Sequence, residues 1–396
     1  MFFLIVIVVM TMMYGYVGWR IIVPAALSTP LNAVAWFLVA ALLVLPFIPI
    51  AARLNGISGS GIDVVSWIAY LSFGFITLLF ALLVGKDLVF IVVTVGQKAV
   101  HFVGGLFNAG LATADAVDPE RRQLLTNSIN LGLLGLTGAL TGYGMFEALR
   151  APKIVRLAIP IEHLPEDLNG FTIVQITDLH VSSTIKRPFI QQVVDTVNGL
   201  KPDLIALTGD LPDGSVDELR NDVAPLAELK APHGLYFITG NHEYYSGVLA
   251  WLQETARLGF DVLVNEHRII ERGKSRLLLA GVTDLSGGQF LSSHVSDPHK
   301  AIAGAPQCDA KILLAHQPKS IFEAAKAGFD YVISGHTHGG QYLPYHFLAA
   351  LAQPYIAGMH EYERTKIYVS RGTGYWGPPL RIGARSEITV HKLVTA

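Results

Sequence analysis

Charged residues are almost missing from the first 120 positions of this 396-residue chain, and this uneven distribution restricts its possible folds more than any other feature. That stretch contains only nine of them, which are Arg20, Arg53, Asp63, Lys86, Asp87, Lys98, Asp115, Asp118 and Glu120. The rest of the chain carries charged side chains at the density of an ordinary globular protein. The sequence therefore indicates a membrane-embedded half joined to a half that faces water.

The apolar half contains four segments with the twenty or so apolar residues that a helix needs to cross a bilayer. They run from Met1 to about Val23, from Leu31 to Ala52, from Val64 to Val84 and from Leu125 to Leu149. Each is apolar on all sides, whereas helices on globular surfaces are amphipathic. We therefore expect residues 1–150 to form a multi-pass transmembrane helical region and residues 151–396 to form a separate domain.

Two further segments lie between the third and fourth spans. Leu88 to Leu106 is interrupted by Lys98 and His101, so it fits an interfacial or re-entrant helix as well as a fifth span. Gly104 to Glu120 is rich in glycine and acidic residues and is predicted to be a connecting loop.

The orientation of the second domain follows from the basic residues beside the spans. Four spans place the N-terminus and the second domain on the same side of the membrane. The loop with Lys86, Lys98, Arg121 and Arg122 is the most basic, which favours a cytoplasmic loop and an extracytoplasmic second domain. Basic residues just after the last span, from Arg150 to Arg156, reduce this difference.

The second domain alternates short apolar runs with amphipathic stretches, a pattern typical of sheets covered by helices. Strands are predicted at Phe171–Ile176, Leu204–Leu207, Leu235–Ile238, Arg276–Ala280, Lys311–Leu314, Tyr331–Ile333 and Ile367–Val369. Helices are predicted at Pro188–Leu200, Val216–Leu229, Val248–Leu258 and Ser320–Ala327. An α/β fold follows, and in such folds ligands bind beyond the carboxyl ends of the strands.

Potential metal ligands follow five of these strands within a few residues. These are Asp178 and His180, Asp210, Asn241 with His242, His316, and finally His336 and His338. Histidine and carboxylate donors together suit manganese, iron or zinc. Cys308 is the only cysteine, so a cysteine-based zinc site is excluded. There are enough ligands for two divalent ions, and a shared carboxylate would hold such a pair roughly 3.5–4 Å apart, a spacing that suits phosphoryl chemistry.

The same blocks, in the same order and spacing, resemble the calcineurin-like metallophosphoesterases. The blocks are Asp-x-His, Gly-Asp, Gly-Asn-His-Glu, a single histidine after a strand, and Gly-His-Thr-His. The resemblance runs from about Gly170 to the C-terminus. With Gly339-Gly340-Gln341, the run from Ser370 to Gly374 and the run from Pro378 to Arg381, it looks like a membrane-anchored branch that has N-terminal spans. It implies a four-layer α/β/β/α sandwich.

The resemblance also implies a role for each matching residue. Asp178, His180 and His338 would hold one metal ion, with Asp210 as the bridge. Asn241, His316 and His336 would hold the other. His242 would protonate the leaving group, with Asn241 and Asp210 beside it at the reacting centre.

Other polar residues have two interpretations. Arg371 and Arg381 follow a strand and could bind phosphate, or they could pair structurally, for example with Glu387. Tyr244 and Tyr245 could line a substrate cleft or pack in the core. Asp213 and Glu243 are expected to orient ligands or to lie in loops. The histidines outside the blocks are predicted to be exposed or hydrogen-bonded, and they are His163, His233, His267, His294, His299, His346, His360 and His391.

The sequence thus predicts a membrane-anchored hydrolase of phosphomonoesters or phosphodiesters. Membrane attachment favours lipid-linked or envelope substrates, and the net charge of −2 gives no reason to expect nucleic acid as a partner. One alternative is a transporter or membrane scaffold with a regulatory second domain, which the scarcity of ionisable residues within the spans disfavours. Another is a metal-dependent nuclease, which the fold would also allow.

Overall fold

The computed structural model describes residues 2–57, 59–106 and 118–396. Most of the predicted connecting loop between the third and fourth spans, residues 107–117, lies outside this range. By their internal contacts the described residues form two compact units. One is the helical part up to residue 143, and the other is residues 144–396 with a short segment that ends at Asp63.

The helical unit is built from long apolar helices. Their bounds are α1 Phe2–Ala25, α2 Thr29–Val44, α3 Phe47–Leu54, α4 Ser60–Leu106 and α5 Pro119–Leu149. Among the residues that the structure describes, four segments are long and apolar enough to cross a membrane, at Leu4–Ala25, Thr29–Arg53, Ser60–Val103 and Pro119–Leu149. These agree with the four expected spans.

Two details differ from the sequence interpretation. The second span is interrupted between α2 and α3 at Pro46, which cannot donate a backbone hydrogen bond to continue the helix. The helix that contains the third span continues past Lys86, because α4 runs to Leu106 as one helix and so includes the segment from Leu88 to Leu106. Asp87 inside α4 accepts hydrogen bonds from Arg20 and, at 2.5 Å, from the Tyr16 hydroxyl of α1. This pairing explains how charged residues persist within the helix.

The second unit contains two six-stranded sheets. The strands are β1 Lys153–Ile161, β2 Thr172–Ile176, β3 Leu204–Thr208, β4 Leu235–Ile238, β5 Asp261–Val262, β6 Glu266–Arg272, β7 Ser275–Gly281, β8 Ala310–Leu314, β9 Tyr331–Ser334, β10 Gly358–Tyr362, β11 Thr365–Val369 and β12 Glu387–Thr395. The first sheet has the order β1-β12-β2-β3-β4-β5, and the second has the order β10-β11-β9-β8-β7-β6. In the first sheet β2, β3 and β4 are parallel neighbours, and in the second β7, β8 and β9 are.

Seven further α-helices lie between and beside the strands of this unit, and five of them cover the outer faces of the two sheets. The seven helices are α6 Arg187–Leu200, α7 Val216–Val223, α8 Asn241–Tyr245, α9 Val248–Arg257, α10 Pro298–Ile302, α11 Ile321–Lys326 and α12 Tyr345–Ala352. One core lies between the sheets, and it includes Ile173, Ile312 and Ile333. A second core packs α6, α7 and α9 on the first sheet, and a third packs α10 and α11 on the second. The expected four-layer α/β/β/α sandwich is therefore confirmed.

All seven predicted strands are present, with ends within two residues of their expected positions. The helix expected at Val216–Leu229 instead ends as an α-helix at Val223 and continues as a 3-10 turn, Ala224–Glu228. Pro225 sits at the start of that turn, where its ring is incompatible with a continuing α-helix.

Candidate metal centre

Seven side chains with metal-ligand chemistry converge where the carboxyl ends of the parallel strands meet. Asp178 and His180 follow β2, Asp210 follows β3, Asn241 begins α8 after β4, His316 follows β8, and His336 and His338 follow β9. Backbone hydrogen bonds continue past the strand ends, as from Asp178 N to Gly209 O at 3.0 Å and from Gly335 N to His316 O at 2.9 Å. These bonds fix the ligand-bearing loops to one another.

One group consists of Asp178, His180 and His338, whose donor atoms lie within 4.8 Å of each other. His180 Nε2 is 3.0 Å from His338 Nε2, and His338 Nε2 is 3.5 Å from Asp178 Oδ1. All three side chains are buried. Burial holds the pKa of His338 well below its usual value, so this imidazole is neutral as a metal ligand must be.

The second group consists of Asp210, His316 and His336. His316 Nε2 lies 3.0 Å from Asp210 Oδ2 and 3.3 Å from His336 Nδ1. The same Asp210 oxygen is 3.7 Å from His180 Nε2 of the first group. Asp210 thus faces both groups with one oxygen, the position that a bridging carboxylate would occupy.

Asn241 supplies a direct test of whether these residues suit a metal. Its side-chain oxygen is buried and, within the described part of the chain, has no hydrogen-bond partner. A buried polar atom without a partner is costly unless something else satisfies it. The residues on either side of Asn241 contact Asp210, since a Cβ on Gly240 would lie 2.2 Å from Asp210 Oδ1 and the backbone NH of His242 donates to the same oxygen at 2.9 Å. A divalent cation held at Asp210 would satisfy an amide oxygen there, so the donor set fits one.

Backbone strain is concentrated in the same residues. Asp178, His180, Asp210, His336 and His338 have φ values of 54°, 48°, 52°, 72° and 51°, in the left-handed region that L-residues rarely adopt. Each such residue costs free energy and is maintained only where the surrounding structure imposes it. Strain at five of seven candidate ligands marks the cluster as a functional site.

Two glycines beside the candidate ligands lie where neighbouring loops approach each other too closely for a side chain. A Cβ on Gly240 would lie 2.2 Å from Asp210 Oδ1, and one on Gly335 would lie 2.3 Å from Asp178 Oδ2. These glycines leave room for the carboxylates.

Hydrogen bonds on the far side of the imidazoles fix their orientation. His316 Nδ1 donates to Thr208 O at 2.8 Å, which leaves Nε2 free to face Asp210. His180 Nδ1 is 3.2 Å from Asp213 Oδ1, which likewise directs its Nε2 to the cluster. Such partners orient metal ligands in proteins.

Asp213 also holds His242, the predicted acid, with Oδ1 only 2.5 Å from His242 Nδ1. Burial disfavours the charged imidazole, but the carboxylates of Asp210 and Asp213 outweigh it and raise the pKa of His242 to about 9. His242 is therefore protonated near neutral pH, as a proton donor must be. The residue pattern gave Asp213 only a general orienting role, because its contact with two histidines depends on the fold.

Glu243 is fully buried beneath the cluster. Its carboxylate accepts hydrogen bonds from the backbone NH groups of Gly240, Asp210 and Leu211 at 2.6, 3.1 and 2.8 Å. Burial and the nearby Asp210 charge raise its pKa to about 7. Glu243 thus ties the β3 and β4 loops together.

The two arginines considered as possible phosphate ligands make hydrogen bonds to other groups of the protein. Arg371 makes a hydrogen bond of 3.3 Å to Glu387, the structural pairing named as its alternative. Arg381 is fully buried, donates to the carbonyls of Gly374 and Ala384, and lies 3.1 Å from His338 Nδ1. Burial lowers the pKa of Arg381 to about 10. Both guanidinium groups already have protein partners.

The two tyrosines after His242 differ in exposure. Tyr244 is buried and its hydroxyl lies 2.8 Å from His294 Nδ1, so its side chain packs inside the domain and not in a cleft. Tyr245 is 62% exposed, and its ring meets His242 edge-on at 5.3 Å. Trp376, 43% exposed, lies 5.7 Å from the same imidazole. These two exposed rings form the rim of the site, and no motif predicted Trp376 there.

Comparison with known proteins agrees with the fold of the second unit. The model of the calcineurin-like phosphoesterase family matches residues 171–340. A transmembrane protein with metallophosphoesterase domain from Danio rerio is 40% identical over 262 residues, which cover 64% of this chain and 60% of that protein. An uncharacterized metallophosphoesterase from Helicobacter pylori is 37% identical over 69% of this chain and 73% of its own length. The chain belongs to the calcineurin-like metallophosphoesterase family.

Two further comparisons show how much of each protein is matched. A Bos taurus protein named transmembrane protein with metallophosphoesterase domain is 38% identical, and the match again covers 60% of its length. The chain therefore aligns with about three-fifths of these two transmembrane relatives. Among solved structures, NAD nucleotidase of Haemophilus influenzae matches 52% of this chain and 45% of its own, with 18% identity and a TM-score of 0.36.

Proposed function

We propose that this protein is a membrane-anchored phosphoesterase that depends on two divalent metal ions, manganese, iron or zinc. The observation that carries the proposal is the Asp210 carboxylate, whose Oδ2 faces His316 at 3.0 Å and His180 at 3.7 Å. Asp178, His180 and His338 would hold one ion, and Asn241, His316 and His336 the other. The family membership and the unpartnered Asn241 oxygen support this assignment.

When bound, the ions would neutralise negative charge on the phosphoryl group and provide a nucleophile near neutral pH. His242 would donate a proton to the leaving-group oxygen from its Nε2, while Asp213 holds its Nδ1. The backbone NH of His242 donates to Asp210 Oδ1 at 2.9 Å, which fixes the acid relative to the bridging carboxylate. Tyr245 and Trp376 would border the leaving group.

The proposed substrate is a phosphomonoester or phosphodiester that lies in or beside the membrane, such as a lipid-linked phosphate. Four candidate spans support a multi-pass membrane location, with residues 1–150 as the membrane region and 151–396 as the catalytic domain. The charge distribution of the loops favours an extracytoplasmic catalytic domain. Attachment would raise the local concentration of membrane substrates over soluble ones.

The test is turnover by the full-length protein in detergent or nanodiscs with added manganese. The substrates are an aryl phosphate, an aryl phosphodiester and a panel of phospholipids. Wild type is expected to hydrolyse at least one class, and Asp210→Asn is expected to lose both turnover and metal. Asp195→Asn, on the exposed face of α6, serves as the matched control. Metal-loaded wild type without activity on any of these substrates would overturn the proposal.

A further inference from the structure

Helix α12, Tyr345–Ala352, buries none of its side chains in the described part of the protein. Phe347, Leu348 and Leu351 are 63%, 57% and 86% exposed, and Leu343 just before the helix is 46% exposed. Its eight residues include no acidic or basic side chain apart from His346. A contiguous apolar surface of this kind usually marks a binding partner or a membrane.

The surroundings of α12 identify the partner as the bilayer. The backbone NH of Arg381 donates to Gly144 O at 2.9 Å, and a Cβ on Gly144 would lie 3.0 Å from Ile382 Cγ1. Gly144 belongs to the same compact unit as the sheets, yet it lies within α5, a candidate membrane span. The segment around Ile382 therefore packs directly on the last turns of a span.

The same segment also contacts the chain just before α12, because the backbone NH of Ile382 donates to Gln341 O at 2.9 Å. Ile382 lines a cavity of about 650 Å³ together with Leu343 and His346, which flank or begin the helix. Only three residues, 150–152, separate α5 from β1, so the span ends no more than about 15 Å of chain from the sheets. The apolar helix is thus beside the end of a membrane span.

We propose that α12 and Leu343 insert into the membrane–water interface as a second attachment of this domain, with the lipid bilayer as the partner. Helices that lie in the membrane interface bury their large apolar side chains at the boundary between headgroups and acyl chains. This attachment would add to the anchoring by the spans and does not require catalytic activity.

The attachment has a consequence for the site. The ring of Tyr345, the first residue of α12, lies 6.3 Å from Trp376, and Trp376 lies 5.7 Å from His242. An inserted α12 would therefore place the rim of the metal centre at the level of lipid headgroups. This position of the metal centre matters only if the proposed function holds, whereas the insertion of α12 does not rest on that function.

The insertion is tested by measuring the depth of a fluorophore in the full-length protein. In a Cys308→Ser background, Leu351→Cys is labelled with an environment-sensitive dye and reconstituted into phosphatidylcholine–phosphatidylglycerol vesicles with or without doxyl-labelled lipid. The matched control carries the dye at Lys274→Cys. Lys274 is exposed in the turn between β6 and β7, at the opposite end of β7 from the metal centre.

The dye at position 351 is expected to emit at shorter wavelength and to be quenched by shallow doxyl lipid at least about twofold more than the dye at position 274. Equal quenching at the two positions would overturn the insertion. A blue shift in detergent without quenching by lipid would also overturn it, because protein would then cover the helix. If no phosphoester is cleaved in the separate activity assay, the proposed function fails while this depth comparison still decides the insertion.

Discussion

Asp213 is the residue whose replacement tests the site most informatively, because one of its oxygens serves two histidines. Oδ1 lies 2.5 Å from His242 Nδ1 and 3.2 Å from His180 Nδ1. Asp213→Asn keeps the shape of the side chain and removes its charge. We expect the acid and one metal ligand to be affected together.

The size of the effect follows from the two hydrogen bonds. A bond to a charged group contributes about 1.5–3 kcal/mol and a neutral one about 0.5–1.5 kcal/mol, so each bond weakens by roughly 1–1.5 kcal/mol. Two bonds together give about 2–3 kcal/mol, which corresponds to a loss of roughly 30- to 150-fold. Replacing partners behind metal ligands commonly costs about 10- to 100-fold in activity or metal affinity, which agrees with this range.

The assay is kcat/KM on whichever phosphoester the wild type cleaves, together with metal content measured on the same preparation. Asp217→Asn, exposed at the start of α7 four residues further on, is the control and should stay within about twofold of wild type. If Asp213→Asn kept more than a third of the wild-type kcat/KM with full metal content, the assignment of Asp213 would be refuted.

Two more perturbations address packing and protonation. Gly335→Ala places a Cβ 2.3 Å from Asp178 Oδ2, so it should lower the free energy of unfolding by about 1–3 kcal/mol and reduce the metal content. The control is Gly199→Ala in α6, where a Cβ would meet nothing within 4 Å and should not destabilise the protein. Equal melting temperatures of the two variants would contradict this expectation. Burial lowers the pKa of His391 from 6.5 to about 3, so the folded protein holds this imidazole neutral. Above pH 6.5 the imidazole is neutral in the unfolded chain as well, and no stability is lost. As the pH falls from 6.5 towards 3, only the unfolded chain binds the proton, which lowers the free energy of unfolding by up to about 1.4 kcal/mol per pH unit. The melting temperature of wild type should therefore fall more steeply between pH 7 and pH 5 than that of His391→Gln, and parallel curves would show that His391 is not the group responsible.

The residue pattern predicted sheets covered by helices because buried parallel strands are continuous apolar runs, whereas the four layers were implied by the family resemblance. It missed β1 and β12, which pair in parallel along nine residues at one edge of the first sheet. Their burial patterns mix exposed and buried positions, and their pairing joins residues more than 230 positions apart. Short-range patterns carry no information about such a pairing.

The candidate ligands could be identified because each follows a strand whose end lies at a shared edge. The roles of their neighbours could not, since these depend on distances across loops. Glu243 reaches the Asp210 and Leu211 backbone, and Trp376 reaches His242 from a distant part of the chain. His391 was expected to be exposed or hydrogen-bonded, and it is buried with Nδ1 2.7 Å from the Tyr331 hydroxyl.

The central claim is that the seven side chains hold two metal ions, and counting the ions tests it most directly. Elemental analysis of full-length protein, loaded with manganese and freed of excess metal, should give about two ions per chain. His316→Ala, whose Nε2 faces Asp210 at 3.0 Å, should retain about one, while exposed His299→Ala should retain both. Wild type with one ion or none, or His316→Ala with the wild-type content, would contradict the account.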